Sequence, residues 1–121
     1  MMLITPDVQA ELASGQLIDI TTTGRQSGQP RRIELVFHNV DGRILISGRP
    51  GFPRGWIANL AADERMTFHL KERVTADLPA RGRVVSDREE REQLLAPIAA
   101  AWRTNLALMV TSAPLVEVMF D

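Results

Sequence analysis

The sequence predicts a mainly β (α+β) fold, a compact antiparallel barrel or roll of about six strands with short helices. Three observations predict it: strand-like segments are short, most of them follow one another through tight turns, and helix signals are confined to brief stretches between them. A chain of 121 residues is long enough to bury a core without a disulfide or metal. We therefore expect one domain spanning residues 1–121.

The first half begins with a helix and continues as hairpins. Thr5 suits an N-cap, Pro6 suits the first helical position and Gly15 suits the end, which predicts a helix over 6–14. Asp41-Gly42 is a strong hairpin turn between two strands. The strands are predicted at residues 17–23, 32–40 and 43–48.

The second half alternates helix and strand. Residues 48–55, GRPGFPRG, exclude regular structure, and a short helix is predicted after them over 56–62. Strands are predicted over about 66–70 and 74–85, the second bent near Pro79, and a last one over 115–120. Ser86 and Glu89 form a capping-box pattern that predicts a helix, which Pro97 is expected to kink or restart before a helical turn at 105–110. The apolar stripe of this helix is predicted to be Leu94, Leu95, Ile98, Ala99 and Trp102.

Composition excludes several classes of protein. No cysteine is present, so disulfides and thiolate metal sites are excluded. The net charge of −1 argues against a general nucleic-acid binder. The N-terminus has no basic flank and no apolar run approaches about 18 residues, so we expect no secretion signal, no membrane span and a cytoplasmic location.

Positive charge is concentrated in one segment. Between Gly24 and Arg54 there are six arginines against two acidic residues, whereas the rest of the chain is acidic. Thirteen of the fourteen cations are arginine, whose planar fork of donors suits phosphate or carboxylate. GC-rich codon usage also raises arginine over lysine, but it does not explain the clustering.

The stretch TTTGRQSGQPRR, residues 21–32, is the densest part of that segment. It is neither a Walker A loop nor GxGxxG, and a strand rather than a helix follows it, so a helix N-terminus is not available to bind phosphate. Guanidinium groups and loop amides would have to hold an anion, with Arg25, Ser27, Arg31 and Arg32 as donors. The alternative is a hydrophilic hairpin tip with no ligand.

A second stretch, SGRPGFPRGWIANL at residues 47–60, places Trp56 and Asn59 three apart on a short helix. This spacing puts both on one helix face. An indole and a carboxamide together suit a planar heteroaromatic ring. The alternative is a tryptophan in the core and an ordinary helical asparagine.

These motifs, in this order, resemble the deazaflavin-dependent nitroreductase family. The family pattern is TTTGRKSGQPR, then DG, then S-K/R-GG, then P-x-W-x-x-N-L-x-A-N-P; the similarity covers about residues 18–86. The resemblance implies a split β-barrel and binding of coenzyme F-420, a flavin analogue with a phosphate and a polyglutamate tail. It implies hydride transfer from the reduced coenzyme to an electron-poor organic acceptor such as a quinone or enone.

By matching positions, the resemblance implies two groups of cofactor-binding residues. Those at the anionic tail are Arg25, Gln26, Ser27 and Arg31. Those nearer the ring are Ser47, Gly48, Arg49, Trp56 and Asn59. Two alternatives remain: an FMN-binding split-barrel reductase or oxidase, and a non-catalytic carrier of a cofactor or tetrapyrrole. Split barrels are often homodimers with ligand sites near the interface, although this family includes monomers.

The sequence departs from the family pattern in ways that bear on activity. Gln26 replaces the family lysine, and Arg32 could substitute for its charge. Pro53 precedes the tryptophan by three positions, and Asp63-Glu64 replaces Asn-Pro. The chain contains no tyrosine, whereas nitro-reducing members of the family place tyrosines over the substrate pocket. The resemblance therefore does not imply that this protein reduces nitroimidazoles.

Other candidate chemistry is weak. His38 and His69 are the two histidines, each on a predicted strand without an obvious third ligand, so we expect isolated histidines rather than a metal pair. Ser47 lacks the G-x-S-x-G elbow of a nucleophile. Trp102 is expected in the helix core. No catalytic residue or proton donor can be named from the sequence.

Overall fold

The computed structural model describes residues 4–50 and 55–121. The predicted irregular segment around residues 51–54, including Pro53 and Arg54, lies outside these ranges. In chain order the elements are α1 (Pro6–Leu12), β1 (Leu17–Thr23), β2 (Pro30–Val40), β3 (Arg43–Ser47), α2 (Gly55–Ala62), β4 (Arg65–Leu70), β5 (Ala76–Val84), α3 (Arg88–Trp102), α4 (Leu106–Ser112) and β6 (Leu115–Phe120).

The strands form a closed barrel in the order β1-β2-β3-β6-β5-β4. Every neighbouring pair is antiparallel, and β1 closes the barrel by pairing with β4. This confirms the prediction of a mainly β fold with six antiparallel strands and short helices. Because the barrel is closed, each strand has a neighbour on both sides wherever the pairing is complete.

One strand is longer than its neighbours. The sequence predicted β2 from Arg32, whereas it begins at Pro30 and runs for 11 residues. It pairs with β1 over residues 30–36 but with β3 only over residues 36–40. Within the described ranges, the first half of β2 therefore has a strand on one edge only, and the barrel opens there.

Apolar side chains fill the barrel and pack under the C-terminal helices. Inside the barrel, Phe68 makes edge-to-face contacts with Phe37 and Phe120, with ring centroids 5.3 and 5.2 Å apart. A second cluster joins α3 and α4 to the outer side of β3 and includes Leu45 and Leu95. Strand alternation explains the two clusters, because successive side chains face opposite sides of the sheet.

Helix starts agree with the sequence to within a residue or so, and α2 begins at Gly55, one residue before its predicted start. Thr5 caps α1 by accepting a hydrogen bond from the backbone N–H of Val8. The capping box predicted at Ser86 is wrong by one position, because Asp87 is the N-cap of α3 and accepts from Glu90 N at 3.0 Å. The helix runs without interruption through Pro97, so Pro97 does not restart it.

A network of charges ties the barrel to α3. The Glu117 carboxylate of β6 lies between two arginines. It accepts hydrogen bonds from Arg43 Nε at 2.7 Å and from Arg83 Nη2 at 2.8 Å. Both arginines also bond Glu90 of α3. The hydrogen bonds from Arg43 lower the pKa of the Glu117 carboxyl to about 2, against desolvation that acts in the opposite direction. This network links β3, β5, β6 and α3.

We expect Glu117→Gln to destabilise the fold by about 1.5 to 3 kcal/mol at pH 7, the cost of weakening hydrogen bonds to charged partners. Because folding lowers the pKa of Glu117, its contribution is complete above about pH 4.5 and is lost as the pH falls towards 2. Urea unfolding at pH 7 and pH 3 should therefore show a smaller difference between variant and wild type at pH 3. An equal difference at both pH values would contradict this assignment.

Candidate functional site

The β1–β2 connection is a compact loop shaped by two glycines. Gly24 N donates to Gln29 O at 2.8 Å, and Gly28 N donates to Gly24 O at 2.8 Å. Gly28 has a φ of 72°, in the region that favours glycine. A Cβ on Gly24 would lie 2.6 Å from Ser27 Oγ, which itself accepts from Gln29 N. A side chain at position 24 would force the Ser27 hydroxyl group to move, and one at position 28 would be strained, so the loop conformation favours both glycines of the GRQSG motif.

A cleft of about 410 Å³ lies between this loop and the start of α2. It brings together six of the predicted cofactor-binding residues, although they come from two separate stretches of the chain. These residues are Arg25, Gln26, Ser27, Arg31, Trp56 and Asn59. Thr22, Gly24, Arg32, Ile33 and Gly55 complete the wall. The two sequence motifs thus face one another across a single cleft.

Asn59 connects the two walls of this cleft. Its Oδ1 accepts from Arg25 N at 3.1 Å and from Arg25 Nη1 at 3.0 Å, and its Nδ2 donates to Thr22 Oγ1 at 3.2 Å. Arg25 Nη1 also lies 3.4 Å from Gly55 O. Asn59 is buried, so its amide is committed to these bonds. It fixes the Arg25 side chain against α2.

The three arginines of the loop differ in their partners. Arg32 Nε donates to Asp19 Oδ2 at 2.9 Å, so the expected substitute for the family lysine is paired with a carboxylate. Within residues 4–50 and 55–121, neither Arg25 nor Arg31 forms an ion pair with a carboxylate. In that part of the chain, Arg25 contacts backbone and amide oxygens, so both guanidinium charges are available to an anion in the cleft.

A second, mainly apolar cleft of about 320 Å³ adjoins the first. The two share Ile33 and Trp56 in their walls. Leu35, Gly48, Arg49, Pro114 and Glu34 line the rest. Trp56 is 5% exposed and belongs to the barrel core. It therefore packs in the core and also forms part of the cleft wall. The indole separates a cationic cleft from an apolar one.

The residues after β3 occupy different positions. Gly48 and Arg49 line the apolar cleft. Ser47 is 2% exposed, and its hydroxyl group donates to Pro114 O at 2.7 Å. Ser47 therefore joins the end of β3 to the residue before β6, and its hydroxyl group does not line either cleft.

Arg49 is held by an aromatic ring. Its guanidinium carbon lies 5.3 Å from the centroid of the Trp102 ring, a cation–π contact. Trp102 in turn meets His38 edge to face at 5.1 Å. Trp102 is partly buried, so it lies at the margin of the helix core in which the sequence placed it. Burial lowers the pKa of His38, whose Nε2 is buried without a hydrogen-bond partner in the described residues.

His69 is hydrogen-bonded on both sides of its ring, which the sequence did not indicate. Its Nε2 lies 2.7 Å from Thr21 Oγ1 and its Nδ1 lies 2.6 Å from Asp77 Oδ1. The three side chains join β1, β4 and β5 on the outside of the barrel. Strand register explains the contact with Asp77, which is directly opposite His69, but the sequence contains no signal for that pairing.

Two further observations concern the part of the chain that the structure describes, residues 4–50 and 55–121. No group of three or more histidine, aspartate or glutamate side chains there could hold a metal ion. No helix there is both long enough and apolar enough to cross a membrane.

Solved structures share this fold at low sequence identity. A FAD-binding protein from Mesorhizobium loti has a TM-score of 0.66 at 13% identity, covering 98% of this chain and 91% of that one. An F420-H2 dependent reductase has a TM-score of 0.62 at 20% identity, covering 84% and 92%. A protein described as a domain-swapped dimer has a TM-score of 0.60 at 21% identity, covering 84% and 78%. These similarities confirm the split-barrel fold.

The barrel and its two adjoining clefts define a split-barrel protein with a candidate ligand site. The family described as F420H(2)-dependent quinone reductase matches residues 5–118, nearly the whole chain. The chain belongs to this family, as the resemblance implied, and it is a deazaflavin-dependent oxidoreductase whose cofactor is coenzyme F-420.

The half-buried ring of His38, whose Nε2 atom is buried, predicts acid sensitivity. Folding lowers the pKa of His38, so the unfolded chain binds a proton near pH 6.5 that the folded chain does not. Stability should therefore be complete above pH 6.5 and fall below it, by at most about 1.4 kcal/mol per pH unit for one proton. In His38→Phe, which keeps an aromatic ring against Trp102, the melting temperature should change less between pH 7.5 and pH 5.5 than in the wild type. Equal changes would exclude His38 as the cause.

Proposed function

We propose that this protein transfers hydride from reduced coenzyme F-420 to an electron-poor organic acceptor of the quinone or enone type. One observation carries the proposal: two arginines without carboxylate partners in the described residues face a cleft that continues past Trp56 into an apolar one. An anionic tail and a flat ring on the same molecule match these two environments.

The residues present fit the cofactor at its anionic end. In the proposal, Arg25 and Arg31 donate to the phosphate and acidic tail, with Gln26, Ser27 and loop amides as neutral donors. Each charge-assisted bond is worth about 1.5 to 3 kcal/mol, so a few of them support micromolar binding. Asn59 supports this role indirectly, because it holds the Arg25 side chain at the cleft wall.

The residues present also fit a planar ring. Trp56 and Ile33 offer apolar surface where the two clefts meet, and Leu35 and Pro114 extend it. In the proposal, the ring lies against Trp56, and the acceptor enters the apolar cleft beside Gly48. The cofactor supplies the hydride when bound, and the protein orients the ring and acceptor and limits access of water.

Arg49 is the charged side chain that we assign to the acceptor. It lines the apolar cleft, and Trp102 holds its guanidinium through the cation–π contact, which leaves N–H groups able to donate to an acceptor oxygen. A carbonyl oxygen that gains negative charge as hydride arrives would be stabilised by such a donor. This role does not require Arg49 to lose a proton.

The first test is binding. We expect wild-type protein to quench the fluorescence of coenzyme F-420, and the double variant Arg25→Ala, Arg31→Ala to bind it more weakly by about 2 to 4 kcal/mol without unfolding, since exposed arginines contribute little to stability. Circular dichroism checks the fold. Arg73→Ala is the matched control, because it removes an exposed arginine that lines neither cleft, and it should bind the coenzyme as the wild type does.

Three outcomes would count against this proposal. Unchanged affinity in the double variant would refute the arginine assignment. Tighter binding of FMN than of coenzyme F-420 would favour the flavin alternative. Binding without oxidation of the reduced coenzyme by quinones or enones would favour the carrier alternative.

A second test separates the tail from the ring. We expect Asn59→Leu to weaken binding of coenzyme F-420 by roughly 1 to 3 kcal/mol, because Arg25 loses its acceptor. The same variant should bind 8-hydroxy-5-deazariboflavin, which has the ring but no phosphate, as the wild type does. Titrations of both ligands by fluorescence measure this. Equal losses for the two ligands would mean that Asn59 contacts the ring instead.

A further inference from the structure

Along β2, successive residues direct their backbone N–H and C=O groups to opposite edges of the strand, and two hydrogen bonds show which residues face β1. Gly24 N donates to Gln29 O at 2.8 Å, and Phe37 N donates to Gln16 O at 3.1 Å, at opposite ends of the β1–β2 pairing. Both bonds fit the same register. Because hydrogen-bonded and non-bonded pairs alternate along an antiparallel ladder, the odd-numbered residues of β2 direct their N–H and C=O groups towards β1.

The even-numbered residues therefore direct their backbone groups towards the other edge. From Val36 onwards β3 lies there, but β3 ends at Ser47, opposite Val36. Within residues 4–50 and 55–121, the N–H and C=O groups of Arg32 and Glu34 have no hydrogen-bond partner. A strand residue with no neighbour on one side offers a donor and an acceptor side by side.

This free edge borders the clefts. Glu34 lines the apolar cleft between Ile33 and Leu35, with Trp56 in the same cleft wall. The Glu34 carboxylate is elsewhere engaged, since it contacts Lys71 on the outer side of the barrel. The backbone of Glu34, rather than its side chain, is thus the polar group that the strand offers to the cleft.

We propose that the backbone N–H and C=O of Glu34 bind the imide edge of the deazaflavin ring, pairing with a ring carbonyl and the adjacent ring N–H. This inference rests on the proposed function and deepens it by assigning the atoms that recognise the ring. A donor and an acceptor on one residue match a carbonyl and an N–H on one heterocycle edge, as they match another strand in a ladder.

A ring fits this edge better than a second strand does. Among the described residues of this edge, Arg32 and Glu34 offer both a backbone donor and an acceptor, whereas Pro30 has a carbonyl group but no N–H. Edge-to-edge pairing of two copies would bring Arg31 and Arg32 of each copy close together, and like charges opposite one another are destabilising. The edge is also continuous with the cationic cleft through Ile33, which lines both clefts.

The test removes the backbone N–H of residue 34 without disrupting the barrel. In Glu34→Pro the lost N–H points away from β1, so the β1 ladder keeps its bonds, and an edge strand tolerates proline. We expect 8-hydroxy-5-deazariboflavin to bind this variant roughly three- to tenfold more weakly by fluorescence titration, the effect of one neutral hydrogen bond. Lys71→Ala, which removes the ion-pair partner of the Glu34 side chain and keeps the Glu34 N–H, should bind as the wild type does.

A modified ligand supplies the second arm. Methylation at the imide nitrogen removes the ring N–H, so the N3-methyl derivative should bind wild-type protein more weakly than the parent ring. Glu34→Pro should reduce this discrimination between the two ligands. Equal affinity of wild type and a folded Glu34→Pro variant for the parent ring would overturn the inference.

A measurement on wild-type protein covers the case in which Glu34→Pro does not fold. Adding 8-hydroxy-5-deazariboflavin should slow hydrogen exchange of the Glu34 amide and shift its NMR resonance, and the Glu72 amide serves as reference. Binding without either change at Glu34 would overturn this inference alone. No binding of coenzyme F-420 or of the ring compound by wild type would instead refute the proposed function.

Discussion

The site depends on the hydrogen bonds of one buried amide. Asn59 accepts two bonds from Arg25 and donates one to Thr22, so it joins α2 to the end of β1 and to the loop that follows. A buried carboxamide without partners would cost about 1 to 3 kcal/mol, which makes this arrangement stable only when the loop and the helix meet correctly. The position of the helix and the direction of an arginine are thereby determined together.

Much of the fold could be predicted because its signals are local. Alternating apolar residues, the Asp-Gly turn and the cap at Thr5 act within a few residues, and the first helix and the β2–β3 hairpin form where they indicate. The one-residue error at the start of α3 has the same origin. Ser86 and Asp87 are both good caps, and the choice depends on packing that the sequence does not display.

The site was predictable as a set of residues but not as a geometry. The motifs indicated Arg25, Trp56 and Asn59, and these do share a cleft. The bond between Asn59 and Arg25, the pairing of Arg32 with Asp19 and the contact of His69 with Thr21 all join residues distant in sequence. Such contacts follow from barrel closure and strand register, which a single sequence does not specify.

The incomplete pairing of β2 has a consequence for solubility. A strand with open backbone groups is a template on which another chain can add, and this process begins many aggregates. Arginine is a common gatekeeper in such segments, and here Arg31 and Arg32 stand on the exposed stretch. The positive charge that suits an anionic ligand therefore also opposes association of the ligand-free protein. Replacing these arginines with neutral residues would promote aggregation as well as weaken ligand binding.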